Sequence, residues 1–177
     1  MSHFEFLTVA FSILIAMAIA RLLEGLVHQA RTTSGYWIHT CWIVLVLVNA
    51  LTLWWMLWEL NANEWTLVTF LTLLAGPALL FAQAALLVPL DPTTINDWRT
   101  FYYDNTRAFF LVRAISSVQA IIAGNMLTEV LPDRALIIGP ITIAILLGAA
   151  FTKNARYHAA VVLLSVAGAV AALVSIA

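Results

Sequence analysis

Six long apolar stretches, separated by short polar connectors, take up nearly the whole chain. An apolar run of about 18 or more residues is long enough to cross the roughly 30 Å hydrocarbon core of a bilayer as an α-helix. Of the 177 residues, 63% are hydrophobic and 10% are charged, which leaves too little polar surface for a soluble domain. The sequence therefore predicts a single integral membrane domain over 1–177, an all-α bundle of six transmembrane helices.

Polar connectors and prolines set the predicted boundaries of these spans. Pro89 and the Asp91-Pro92 turn end the third span, and Pro132 ends the fourth. The division between the last two spans rests on the polar stretch 152–154 and on Arg156. In chain order, the spans are expected at 4–28, 36–60, 65–88, 106–131, 135–151 and 155–176.

The connector between the third and fourth spans carries a helical pattern of its own. In TTINDWRTFYYDN (93–105), apolar and aromatic side chains recur at helical spacing at Ile95, Trp98 and Phe101 or Tyr102. Aromatic residues collect at headgroup depth, so we expect a short helix lying in the membrane interface. A lid over an opening is the alternative.

Basic residues fall mainly at the odd-numbered connectors. Those connectors and their edges hold Arg31, Arg99, Arg107, Lys153 and Arg156, whereas the even-numbered ones hold only Arg134. Lys and Arg are retained on the cytoplasmic side of a membrane. Both termini are therefore expected on the periplasmic side of a bacterial inner membrane.

Polar and small side chains mark the packed faces of a membrane helix, because lipid tails are as apolar as leucine. In the fourth span the inward face is predicted to comprise Arg113, Ser116, Ser117, Gln119, Ala120, Ala123 and Gly124. Lipid is expected to meet Phe110, Leu111, Ala114, Ile115, Val118, Ile121 and Ile122. Polar faces on the first three spans extend this predicted interior. The candidate lining residues are Arg113, Glu24, Arg21, Gln83, Asn49, Thr72, Ser116 and Gln119.

A charge inside the hydrocarbon costs about 2.5–3.5 kcal/mol on insertion scales, so a partner is expected for each buried ion. The assigned topology puts Arg113 at a depth similar to that of Arg21 and Glu24. We therefore predict an ion pair between Glu24 and Arg113, with Arg21 and His39 nearby. In the structural alternative, the arginines extend along the helix to the membrane boundary.

No cofactor, metal or catalytic centre is predicted. The positions of His28, His39 and His158 near the cytoplasmic span ends place them at the water boundary, which argues against heme at these residues. The single cysteine, Cys41, excludes an intramolecular disulfide. A net charge of −1 gives no support for nucleic-acid binding.

Seven tryptophans are placed as the aromatic belts of a membrane protein would be. Near the outer ends of the second and third spans lie Trp54, Trp55, Trp58 and Trp65, and near the inner side lie Trp37, Trp42 and Trp98. A slot for a quinone or pigment, lined by Trp54 and Trp58, is the functional alternative.

Three stretches carry a family resemblance: FEFLTVAFSILIAMAIARLLEGL, YWIHTCWIVLVLVNALTLWWMLWEL and FYYDNTRAFF. Their order resembles that of a family of small bacterial multi-pass inner-membrane proteins of unknown function, and WW-x-x-WEL and DNTRAFF are the most specific parts. The resemblance implies a bacterial integral membrane protein. It implies no activity, substrate or catalytic residue.

The leading functional prediction is a transporter or channel for a small solute or ion, with a polar interior lined by helices one to four. The charge of Arg113 would favour an anionic or carboxylate-bearing guest. The main alternative is a non-transporting interaction or assembly subunit, and a further one is a binder of a quinone, lipid or pigment. An enzyme is the least favoured class. The expected partners are the lipid bilayer and a second copy or another membrane protein.

Overall fold

The structure, a computed structural model, describes residues 3–32, 35–56, 66–128 and 133–176. Within these ranges the chain forms six α-helices and one 3-10 turn at Pro92–Thr94. The helices are α1 (His3–Arg31), α2 (Trp37–Met56), α3 (Leu67–Leu87), α4 (Trp98–Thr128), α5 (Asp133–Phe151) and α6 (Ala155–Ile176).

Five of these helices, all except α5, contain stretches long and apolar enough to cross a bilayer. The apolar part of α5 is shorter and covers Ile137–Phe151. A chain with five such helices is an integral membrane protein, because an α-helix pairs its own backbone N–H and C=O groups, as the interior of a bilayer requires. The all-α prediction is confirmed for the described residues.

The helices are arranged as a ring. α1 packs on α2 and α3, α3 on α4, α4 on α5, α5 on α6, and α6 returns to α2. α2 also crosses the ring to touch α3 and α4. The bundle therefore has two parts. α1, α2 and α3 pack closely on one another, whereas α2, α4, α5 and α6 surround a cavity.

The three odd-numbered connectors meet at one end of this ring. The guanidinium of Arg99, near the start of α4, lies 6.0 Å from the ring centroid of Tyr36, which immediately precedes α2. Arg107 lies 5.3 Å from the ring of Phe151 at the end of α5. We refer to this part of the molecule as the basic end.

The predicted interfacial helix is wrong, because α4 begins at Trp98 and continues without a break past Thr106. Asp97 caps it by accepting hydrogen bonds from the backbone N–H of Arg99 (3.0 Å) and of Thr100 (3.2 Å). The hydroxyl of Thr100 also donates to this carboxyl and, with these N–H groups, lowers the pKa of Asp97. The first turns of α4, residues 98–105, belong to the bundle because Trp98 is buried inside it and does not lie at the membrane interface.

Small residues set how closely some helices approach. Gly25 on α1 is buried against Val88, which follows α3, so that a Cβ at this position would overlap the valine side chain. By contrast, a Cβ at Gly168 on α6 would meet no atom within 4 Å. The same residue type therefore marks close packing at one position and open space at the other.

We expect Gly25→Ala to destabilise the protein by about 1–3 kcal/mol, because the added methyl group overpacks the contact with Val88. Gly168→Ala is the matched control, since it brings the same gain in helix propensity without a clash. Unfolding in detergent, followed by circular dichroism, measures both. Equal stability of the two variants would contradict the close α1–α3 contact.

Candidate functional site

A partly open cavity of about 340 Å³ lies between α2, α4, α5 and α6. Its polar lining consists of Asn49, Thr52, Arg113, Thr142 and Ser165. The rest of the lining is apolar or glycine: Leu45, Val48, Ile145, Leu146, Val161, Leu164, Gly168, Ala169, Ala172 and Leu173. The volume lies at the lower end of the roughly 300–1,000 Å³ range of ligand pockets.

Arg113 is the only charged side chain lining this cavity among the described residues. Its Nη1 donates a hydrogen bond of 3.0 Å to Oε1 of Gln83. Gln83 is fully buried, and its Nε2 donates to the carbonyl oxygen of Leu79 in its own helix (3.2 Å). A neutral amide thus positions the guanidinium, and no carboxylate of the described residues forms an ion pair that would compensate its charge.

The predicted ion pair between Glu24 and Arg113 is wrong. Arg113 bonds to Gln83, whereas Glu24 lies exposed on α1. Arg21, which was expected nearby, donates from Nε to the carbonyl oxygen of Val88 at 2.8 Å. The last carbonyls of a helix lack intrahelical donors and attract cations, so the end of α3 holds Arg21 away from the cavity.

The other predicted lining residues divide between the cavity and helix packing. Asn49 lines the cavity, and its side chain has no hydrogen-bonding partner within the described part of the chain. Gln119 donates from Nε2 to the carbonyl oxygen of Thr72 (2.8 Å) and packs beside Gly76, so these residues join α3 to α4. Ser116 is half-buried and does not line the cavity.

The cavity walls come partly from α5 and α6, which the sequence did not assign to the interior. Thr142 on α5 and Ser165 on α6, together with Thr52 on α2, are the polar lining residues that the predicted set lacks. Gly168 and Ala172 of α6 have the four-residue spacing of a close-packed helix interface, but the same composition also fits an open wall. No feature of the sequence separates these two cases.

The predicted lipid face of α4 is correct in part. Ile115, Val118 and Ile122 are exposed, as expected, and would meet lipid. Phe110 and Ala114 are instead buried. Phe110 belongs to the layer of aromatic residues described next.

A buried group of rings lies between the cavity and the basic end. This aromatic layer consists of Trp42, Trp98, Tyr102, Phe109 and Phe110, with His39 and His158 among them. Neighbouring rings contact one another at centroid distances such as 5.1 Å for His39–Trp98, 5.2 Å for Trp42–Phe110 and 5.4 Å for Phe110–His158.

The layer lies about one helical turn from the cavity. On α2, α4 and α6, respectively, Trp42 precedes Leu45, Phe110 precedes Arg113 and His158 precedes Val161 by three residues. The rings therefore close the cavity on the side of the basic end.

The two histidines in this layer are buried, which corrects their predicted place at the water boundary. Both His39 and His158 have 0% of their surface exposed. The third, His28, is half-buried, and its ring lies 6.0 Å from that of Trp98 in a T-shaped arrangement. Trp42 and Trp98 likewise belong to the layer and not to an aromatic belt.

Trp37, Trp54 and Trp55 are exposed, as an aromatic belt requires. Trp58 and Trp65 lie outside the described residues, and so does the predicted slot at Trp58.

Hydrogen bonds define the protonation of His39. Its Nε2 bonds to the carbonyl oxygen of Leu87 at 2.9 Å, and because a carbonyl only accepts, Nε2 carries the proton. Nδ1 then accepts from the amide of Gln29, whose Oε1 accepts from the hydroxyl of Thr40. A neutral His39 thereby joins α1 and α2 to the end of α3.

His158 has the same arrangement on the other side of the layer. Its Nε2 donates to the carbonyl oxygen of Thr152 (2.9 Å), and its Nδ1 accepts from the hydroxyl of Tyr102 (2.8 Å). This pair joins α4 to α6 and to the turn between α5 and α6. Both nitrogens of each buried ring are thus engaged by the protein.

At the rim of the basic end, the hydroxyls of Tyr36 and Tyr103 lie 2.9 Å apart and share a hydrogen bond. Burial, and then this hydrogen bond, raises the pKa of Tyr36. The hydroxyl is therefore protonated at neutral pH and extends the neutral character of the layer to its edge.

Within the described ranges, no three His, Cys, Asp or Glu side chains come together as a metal ion would need. Comparison of the chain with protein-family models, with curated proteins and with solved structures gave no match.

We expect Tyr102→Phe and His158→Phe to be energetically coupled, because each removes one end of the same buried hydrogen bond. Losing the hydroxyl alone leaves Nδ1 of His158 without a donor and should cost about 1–3 kcal/mol. The double variant should lose less than the sum of the single variants. Unfolding in detergent measures the cycle.

Ser117→Ala is the control for this cycle, since its hydroxyl bonds to the carbonyl oxygen of Arg113 within α4 (3.1 Å) and shares no hydrogen-bonding partner with Tyr102 or His158. Its loss should add independently to that of His158→Phe. Additive losses for Tyr102→Phe and His158→Phe would contradict the bond that joins α4 to α6.

Proposed function

We propose that the protein is a six-span transport protein of a bacterial inner membrane that binds a small anion at Arg113. The observation that carries this proposal is a cavity-facing guanidinium whose hydrogen-bonding partner is a neutral amide. Ionisable side chains within membrane spans are rare and mark substrate or ion pathways by default. An anion in the cavity would neutralise the charge that Gln83 leaves uncompensated.

The shape of the cavity supports transport in particular. The space is partly open, while the aromatic layer closes it towards the basic end. A central site that is closed towards one side of the membrane is what one state of an alternating-access transporter requires. The positive-inside rule would make the closed side cytoplasmic.

Binding without transport is the second candidate, and the hydrogen bonds of His39 and His158 favour it. These bonds join the helices at the closed side, and transport would require some of them to break. A flux measurement separates the two candidates.

Proteoliposomes loaded with chloride, nitrate or acetate provide the test, with radiotracer flux as the readout. We expect flux above that of empty vesicles, its loss in Arg113→Gln and its partial retention in Arg113→Lys, because the cavity requires a cation. Arg107→Gln is the matched control, since Arg107 is exposed and does not line the cavity. Binding that depends on Arg113 without flux would replace transport by the second candidate, and equal behaviour of both arginine variants would contradict the proposal.

A second variant tests whether the free charge is what matters. Gln83→Glu places a carboxylate beside the guanidinium, so we expect a higher unfolding temperature together with loss of anion binding and flux. Thermal unfolding and flux are measured on the same preparation. A more stable variant with unchanged anion binding would contradict the role of the uncompensated charge.

A further inference from the structure

We infer that the guest is a monocarboxylate with a short apolar tail. The carboxylate would bind Arg113, and the tail would lie along the α6 wall of the cavity. The inference rests on the proposed function and specifies the class of anion.

The charged part of the guest follows from the single cation. A guanidinium has five N–H donors, of which the structure uses one for Gln83, so enough remain for the two oxygens of a carboxylate. One positive charge balances one negative charge. A phosphate dianion would bring a second charge into a region where the described lining offers no second cation.

Asn49 adds a neutral donor to this part of the cavity. Its side chain has no partner among the described residues, whereas the hydroxyl of Thr52 on the same helix is already used by the carbonyl oxygen of Val48 (3.0 Å). The amide N–H groups of Asn49 are therefore available to a carboxylate. A charged donor together with a neutral one is a common way to orient an anionic group.

The apolar part of the guest follows from the α6 wall. Val161, Ser165, Gly168 and Ala172 recur at intervals of three or four residues and line one face of the helix. The hydroxyl of Ser165 donates to the carbonyl oxygen of Val161 (2.8 Å), which reduces the polarity of this face.

Gly168 lies in the middle of this wall and has open space in front of it. Apolar walls with room beside them suit an alkyl chain, and an inorganic anion would leave them unfilled. At about 340 Å³, the cavity suits a short tail rather than a complete phospholipid.

The test is equilibrium binding of radiolabelled octanoate to the protein in lipid nanodiscs, with binding to empty nanodiscs subtracted. Acetate, octanol, octylammonium and octyl phosphate are the competitors. We expect acetate to compete weakly, because it has the charge without the tail. Octanol and octylammonium should not compete, and octyl phosphate should compete less well than unlabelled octanoate.

Two variants of α6 test the position of the tail. Gly168→Phe fills the space in front of the wall, so that part of the octanoate tail loses its contact with α6. Octanoate binding should weaken by about tenfold, which corresponds to about two methylene groups of the tail left without contact. Binding of acetate itself should be the same in Gly168→Phe as in the unaltered protein, because acetate has no tail to contact the wall. Val170→Phe is the matched control, because Val170 is exposed on the same helix and does not line the cavity.

The outcomes distinguish this inference from the function on which it rests. If octanoate binds no better than acetate, or if Gly168→Phe has no effect while Arg113→Gln abolishes anion binding, the tail is excluded and the anion site stands. Stronger competition by octyl phosphate than by octanoate would overturn the carboxylate. If no anion binds in a manner that depends on Arg113, both proposals fail.

Discussion

Between α3 and α4, a buried glutamine amide holds an arginine side chain against a cavity inside the membrane. An amide supplies an oxygen acceptor, so it fixes the position of the guanidinium without removing its charge. A carboxylate at position 83 would have neutralised the cation and made the same contact purely structural. A positioned cation that no carboxylate of the described residues neutralises attracts an anion, because electrostatic attraction is strong in a region of low dielectric constant.

The ends of the helices determine where the other polar side chains lie. Carbonyl groups at the end of α3 accept from His39 and Arg21, and Thr152, after α5, accepts from His158. Each donor comes from another helix, so one set of hydrogen bonds both satisfies the helix ends and joins the ring together. Because the two histidines are used in their neutral form, the layer closes the cavity without bringing a further charge close to Arg113.

Composition and run length were sufficient to predict a helical membrane protein. The rarity of charge within the spans pointed to Arg113, Arg21 and Glu24 alike, and of these three only Arg113 lines the cavity. Helix depth was harder to predict. The prediction of a similar depth for Glu24 and Arg113 rests on a fourth span that begins at 106, whereas α4 begins at Trp98. Arg113 therefore lies about 22 Å along its helix from the basic end, and Glu24 lies about 10 Å from the same end of α1.

Sequence patterns gave wrong predictions where the same periodicity or spacing fits two different structures. The connector at 93–105 has the periodicity of an interfacial helix, but Asp97 caps a continuous α4 and Trp98 stacks on His39. Gly168 and Ala172 have the spacing of a packed helix interface, yet they line an open wall. Burial of the histidines depends on aromatic rings from several helices, which no single segment of sequence contains.

The most direct test of an uncompensated cation in the cavity is the reaction rate of a cysteine that lines it. Asn49→Cys in a Cys41→Ser background is treated with a negatively charged sulfonate reagent and with a positively charged ammonium reagent of similar size, before and after Arg113→Gln. We predict that removing the arginine lowers the ratio of the anionic to the cationic rate, because Arg113 attracts anions into the cavity. An unchanged ratio, or a cysteine that reacts with neither reagent, would contradict the account.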